Sequence, residues 1–152
     1  MRIVVQRVSR ASVSVDDRTI AAIGQGLLLL VGVADCDAEV DLTRLAKKIV
    51  DLRIFEDSER KMNRSLRDLE GAVLAVSQFT LCADTHKGRR PSFAHAAPPS
   101  EAGPIFDAFV DALKREGATV RTGEFGAKMA VQLENDGPVT LVLEVAGGRE
   151  SG

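Results

Sequence analysis

Tryptophan and tyrosine are absent from this 152-residue sequence, and histidine and cysteine occur only twice each. Any stacking against a nucleobase would therefore fall to phenylalanine, with Phe79, Phe93 and Phe125 as candidates. Both histidines, His86 and His95, stand in a polar stretch rich in glycine and proline. No GxSxG, HExxH or glycine-rich phosphate loop occurs, which removes the usual triad, zinc-hydrolase and nucleotide-loop chemistries. Cys36 and Cys82 form no CxxC pair, so neither a disulfide framework nor a zinc module is expected and a reduced, cytoplasmic setting fits. The spacing of Cys82, His86 and His95 matches no metal motif; a buried thiol and two solvated imidazoles is the preferred reading, and no metal or cofactor is expected. Basic charge is not in excess, with 20 Lys and Arg against 22 Asp and Glu, so contact with RNA would have to rest on a local patch. The longest apolar run, Leu27 to Val33, falls far short of the roughly 20 residues that span a bilayer. Charge at Arg2 and Arg7 interrupts the N-terminus too early for a signal-peptide core, and no membrane role is expected.

With 45% hydrophobic residues, the chain can bury a substantial core, and one domain over residues 1–146 with a frayed tail at 147–152 is expected. Val13 and Val15 alternate with Ser12, Ser14 and Asp16, and Asp16-Asp17 supplies a turn before Thr19–Ile23, which reads as antiparallel β. Leu27–Val33 is apolar on both faces, as a central strand covered by other layers would be. Asp37 is placed to cap a helix whose buried face is Leu42, Leu45, Ala46 and Ile49, with Lys47 and Lys48 near its end. Val73–Phe79 reads as a second largely apolar strand, and Ala83–Pro99 as a surface loop. A second helix starts near Pro99, buries Ile105, Phe106, Phe109, Val110 and Leu113, and ends at Gly117 in a left-handed conformation. Met129–Leu133 and Val139–Val145 alternate on either side of Asp136-Gly137, so two strands are expected to meet at a turn there. The class is α+β: mainly antiparallel sheet forming a barrel-like core, with two main helices.

Two segments stand out. Ser77-Gln78-Phe79-Thr80 sets hydroxyl and amide side chains at a strand end before a loop, where a scaffold can present backbone amides to a ligand. Threonine and phenylalanine are also ordinary strand residues, so from these residues alone a purely structural role is the preferred reading. In Asn135-Asp136-Gly137-Pro138, proline follows a good hairpin dipeptide although it cannot donate a ladder hydrogen bond. This suits either a plain strand start or a rigid tip with outward carbonyls. Only about 5–6% of X-Pro bonds are cis, so the dipeptide alone favours trans. Lys87, Arg89 and Arg90 gather positive charge just after the first segment, and Arg60, Lys61, Arg64 and Arg67 form a second basic stretch; either could hold phosphates or be a solvated surface run.

Together with Val4-Val5-Gln6-Arg7-Val8, Leu52-Arg53-Ile54-Phe55 and Lys87-Gly88-Arg89-Arg90-Pro91-Ser92-Phe93, these segments resemble the D-aminoacyl-tRNA deacylases along nearly the whole chain. The resemblance implies hydrolysis of the ester of D-aminoacyl-tRNA, with glycyl-tRNA mischarged on tRNA(Ala) also accepted. It implies a homodimer in which a cis Gly137–Pro138 tip enters the partner's pocket, holds the α-amino group with its carbonyls and excludes L-aminoacyl groups. Ser77, Gln78 and Phe125 would bind substrate, the N–H groups of Phe79 and Thr80 would serve a developing oxyanion, Arg7 would brace the tip, and Lys87, Arg89 and Arg90 would meet RNA phosphate. Thr80 as a nucleophile is the lesser alternative, because no base lies near it in sequence. Assistance by the substrate's own 2′-hydroxyl, as the family implies, accounts for the missing base. Cys82 stands where the family often has a small residue. The competing reading is a non-catalytic nucleic-acid-binding module using the basic loop.

Overall fold

A computed structural model describes residues 1–147. Apart from Gly147, the expected frayed tail lies outside the described residues. Strand β1 (Arg2–Val15) runs antiparallel to β2 (Arg18–Ile23) through Asp16 and Asp17, both at positive φ, the backbone twist that a tight hairpin requires. Strand β3 (Gly26–Gly32) pairs antiparallel with β1 and parallel with β6 (Ala72–Ser77), which is parallel to β7 (Thr119–Thr122). The sheet follows β2-β1-β3-β6-β7, with β8 (Ala130–Glu144) added on the free side of β1. It is mixed and nearly closed into a barrel. A short antiparallel pair, β4 (Phe55–Glu56) and β5 (Met62–Arg64), stands apart from it.

The apolar run in β3 serves two cores at once. Leu27, Leu29 and Val31 face one cluster with Leu45, Ile49, Phe106 and Phe109 of the helices, whereas Leu28 faces a second with Val8, Val13, Leu74 and Val76. The two-residue period of a strand explains the division, and layers on both faces explain why no polar residue interrupts the run. Helix α1 (Leu42–Asp51) is capped by Asp41, whose carboxylate accepts the Arg44 N–H at 3.0 Å. The expected cap, Asp37, instead begins a 3₁₀ turn and is buried, holding the Met1 ammonium at 2.5 Å and the Ala34 N–H at 2.6 Å. A one-turn helix α2 (Leu66–Leu69) carries a Ser65–Asp68 capping box. Helix α3 (Pro99–Arg115) has Pro99 in its first turn, buries Phe106, Phe109, Val110 and Leu113, and is followed by Gly117 at φ +92°. No helix among the described residues is long and apolar enough to cross a membrane.

The main correction concerns β8. Its halves do not meet at a turn; they form one strand paired along β1, from Ser14↔Ala130 to Arg2↔Glu144. Between Gln6↔Thr140 and Val8↔Asn135 the register jumps, so Asp136, Gly137, Pro138 and Val139 bulge outward opposite Arg7 alone. The local hairpin signal of Asp-Gly is overridden by long-range pairing, and the extra residues become a protrusion.

Candidate functional site

Strands β3 and β6 run parallel, so their C-terminal ends open on the same side. Strand β6 stops at Ser77, and Phe79–Cys82 form a 3₁₀ turn instead of continuing the strand. The turn is anchored where the Gln78 N–H donates to the Val31 carbonyl at 2.8 Å. A 3₁₀ turn cannot use its own first N–H groups, and none of the backbone bonds around it is donated by Phe79 or Thr80. Among the described residues these two donors are free, and Phe79 lines a cleft of about 590 Å³.

Ser77, Gln78 and Phe79 line one side of that cleft, Phe93 and the Ala96–Pro99 segment another, and Phe125 and Met129 a third. Of the six phenylalanines, Phe55, Phe106 and Phe109 are buried, whereas Phe79, Phe93 and Phe125 are 55%, 39% and 38% exposed. All three exposed rings line the cleft. Phe79 and Phe93 meet edge to face with centroids 5.1 Å apart, an arrangement that leaves open faces for a flat ligand. No ionisable side chain belongs to the lining among the described residues. Thr80 lies outside the lining, and its hydroxyl accepts a short hydrogen bond from the Gln78 amide. Among the described residues no hydrogen bond joins that hydroxyl to a histidine, carboxylate or amine that could activate it.

The basic loop follows directly. Asp84 and Ser92 exchange backbone bonds at 2.7 and 2.8 Å, and the exposed Lys87, Arg89 and Arg90 lie on the excursion they close. The second basic stretch is partly committed elsewhere, because Arg67 pairs with Asp51 and Glu116, each at 3.0 Å. Cys82, His86 and His95 do line one smaller cleft of about 460 Å³ behind the turn. Both imidazoles are exposed and engaged with aspartates, His86 with Asp84 at 2.6 Å and His95 with Asp35 at 4.0 Å. No three His, Cys, Asp or Glu residues are grouped to hold a metal among the described residues. Burial, followed by the negative charge of Asp37, pushes the Cys82 thiol up, which keeps it protonated and a poor nucleophile. The Asp84 carboxyl is held below its usual range by the His86 backbone N–H and then by the His86 ring.

Gly137 and Pro138 are not among the residues lining the cleft. Their peptide bond is cis, as the resemblance implied and against the preference of the dipeptide alone. Gly137 sits at φ +121°, where an added Cβ would stand 3.0 Å from both the Arg7 guanidinium and the Val139 side chain. The buried Arg7 holds the bulge from below. Its Nε lies 3.2 Å from the Asp136 carbonyl and 3.2 Å from the Asp136 carboxylate, and its Nη1 donates to the Ile54 carbonyl at 2.7 Å. Asn135 closes the base, its amide donating to the carbonyls of Arg7 and Val139 at 3.0 Å each, while Thr140 donates to its oxygen at 3.1 Å. Asn135 and the Ile54 carbonyl were not foreseen as supports. The asparagine lies in a segment already singled out, but nothing local signals that it spans a bulge.

The profile of the family described as "D-Tyr-tRNA(Tyr) deacylase" matches residues 4–144. The chain is 57% identical over 150 residues to a D-aminoacyl-tRNA deacylase of Roseiflexus sp. (strain RS-1), covering 99% of this chain and 97% of the relative. It is likewise 57% identical over 146 residues to one of Thermomicrobium roseum, covering 96% and 95%. Among solved structures it is similar to the "c-Myc DNA Unwinding Element Binding Protein", with a TM-score of 0.88 and 41% identity over 95% of this chain and 99% of that one. A "probable eukaryotic D-amino acid tRNA deacylase" shares the fold, with a TM-score of 0.78 and 19% identity over 95% of this chain and 98% of that one.

Proposed function

Because the chain belongs to the D-Tyr-tRNA(Tyr) deacylase family and is therefore a hydrolase of D-aminoacyl-tRNA, we propose that two copies complete each active site. The cleft of one copy receives the aminoacylated 3′ end, and Gly137 of the partner subunit and Pro138 of the partner subunit close over the amino acid.

In this reading the terminal base packs among Phe79, Phe93 and Phe125, with Ser77 and Gln78 fixing the acyl end. Lys87, Arg89 and Arg90 meet the phosphates behind it, where their contribution is salt-dependent. The tip's carbonyls accept from the substrate ammonium and leave no room where an L side chain would point, so selectivity comes from exclusion. Glycine has no side chain to exclude, and glycyl-tRNA, including glycine mischarged on tRNA(Ala), is a second substrate. Arg7 is structural support for the tip.

Hydrolysis proceeds by attack of water on the ester carbonyl. Its oxygen gains negative charge and is met by the free N–H groups of Phe79 and Thr80, a contribution that is large in a water-poor site. The attacking water passes a proton to the substrate's 2′-hydroxyl as that hydroxyl gives its own proton to the departing ribose oxygen, the carbon–oxygen bond to the ribose breaks, and D-amino acid and tRNA are released. The observation that carries the reading is a cleft whose lining holds Phe79, with its free N–H group, and no ionisable side chain among the described residues. Such a site can stabilise an oxyanion and cannot supply a base, so the base function falls to the substrate.

Purified protein should release D-tyrosine from D-tyrosyl-tRNA and spare the L-ester by at least about a hundredfold, the scale expected of a buried steric clash. Equal hydrolysis of both esters, or of neither, ends this reading.

A further inference from the structure

The turn that carries the free donors rests on the end of β3, at Gly32. A Cβ placed on Gly32 would stand 2.8 Å from the Leu81 Cβ, 3.1 Å from the Gln78 carbonyl oxygen and 3.3 Å from the Cys82 sulfur. The first two atoms belong to, or are fixed on, the backbone of the turn and cannot swing aside. Gly32 is not among the positive-φ glycines, so its backbone would accept alanine and space alone demands the glycine. Across the same strand pair, Arg2 stands opposite Gly32. Its Nη1 donates to the Leu81 carbonyl at 3.1 Å, while its Nη2 pairs with the Glu144 carboxylate at 2.6 Å.

The turn is thus located at three points: the Val31 carbonyl that takes the Gln78 N–H, the bare Cα of Gly32 beneath it, and the Arg2 guanidinium. We infer that Gly32 and Arg2 are positioning residues for the reaction. Gly32 sets how closely the Gln78–Cys82 segment approaches β3, Arg2 fixes its far end, and together they place the Phe79 and Thr80 N–H groups at the cleft. Neither residue lines the cleft. The inference rests on the reading of those N–H groups as oxyanion donors. A displacement of a fraction of an ångström in such donors weakens binding of the transition state far more than binding of the substrate.

The test is steady-state deacylation of D-tyrosyl-tRNA by Gly32→Ala, with thermal unfolding of the same sample. The expected result is a kcat lowered about tenfold or more, KM within about twofold of wild type, and a folded protein. Gly24→Ala is the matched control, since nothing lies within 4 Å of a Cβ there, and it should keep wild-type kcat. A double-mutant cycle with Leu81→Gly removes the closest obstacle, so Gly32→Ala should cost less kcat in that background. Arg2→Met leaves the strand pairing intact and should lower kcat about two- to fivefold with KM unchanged; it supplies the same readout should Gly32→Ala not fold. Wild-type kcat in a folded Gly32→Ala or in Arg2→Met, or a loss appearing wholly in KM, overturns the inference. Inactivity of the wild-type protein would instead overturn the proposed function, so the two failures are distinct.

Discussion

The cleft wall at Ser77–Phe79 continues an interior strand with apolar core on both faces, whereas the Asp136–Val139 bulge hangs from an outer strand by the side chains of Arg7 and Asn135. The wall is held by packing and close backbone approach, and the tip by a few polar ties. Deleting one wall side chain should therefore matter little unless it changes the platform beneath, while deleting one tie should matter greatly to the tip.

The largest effect is expected where the platform itself is opened. A Cβ on Gly26 would lie 1.8 Å from the Ala72 carbonyl oxygen, within the β3–β6 pairing, so Gly26→Ala should destabilise by more than about 3 kcal/mol in denaturant titration. A stable Gly26→Ala would show that the strands can part and would weaken the contrast. Next comes Arg7→Ala, which strips the buried tie to Ile54 and the half-exposed ties to Asp136 and should cost about 3 kcal/mol. It should also erode the D-over-L preference, and Arg7→Lys should not restore it, because a point ammonium cannot span both partners. Full discrimination in Arg7→Ala would mean that the bulge holds itself. Thr80→Ala removes an exposed hydroxyl already engaged by Gln78, so kcat should stay within about threefold of wild type. A loss beyond about a hundredfold would make the hydroxyl a nucleophile after all.

The smallest effect touches neither region. The Asp51 carboxyl is held below its usual value of 3.8 by Lys47 and then Arg67, Asp57 by the Asn63 side chain and then the Lys61 N–H, and Asp68 by the Ser65 backbone and hydroxyl. Folded values below unfolded ones mean that this stability is fully present above about pH 4 and is lost as the pH falls through the folded values. The melting temperature should hold from neutral pH to about 4 and then decline, with Asp51→Asn flattening part of the decline. A decline beginning at pH 6 would point to other groups.

Much of the scaffold is legible in the chain. The alternation in β1, the unbroken apolar run in β3 and the stripe of α3 each report a local period that the fold preserves. Reading failed where tertiary contacts overrule local signals. Asp136-Gly137 has the chemistry of a hairpin turn, but pairing of both flanks with β1 turns it into a bulge. Asp37 has the chemistry of a helix cap, but three-dimensional packing sends it to the Met1 ammonium and Asp41 caps the helix instead. Parallel pairing of β3 with β6 leaves no mark beyond burial on both faces, and β7, whose residues alternate exposed and half-buried, leaves not even that. Gly32 looks like one more residue of an apolar strand until the turn above it is seen. At the site, the segments were legible and their supports were not, because Arg2, Ile54 and Asn135 act through partners distant in sequence.

The central claim, a wall from one chain and a tip from another, is tested most directly by subunit mixing. Ala96→Trp would fill the cleft that Ala96 lines, and Gly137→Ala/Pro138→Ala would disable the tip; each protein alone should be inactive on D-tyrosyl-tRNA. If the two chains share each site, co-refolding equal amounts should restore about a quarter of wild-type activity, since half of the dimers are mixed and each carries one intact site. No recovery from a mixture shown to contain mixed dimers would place wall and tip in the same chain and contradict the account.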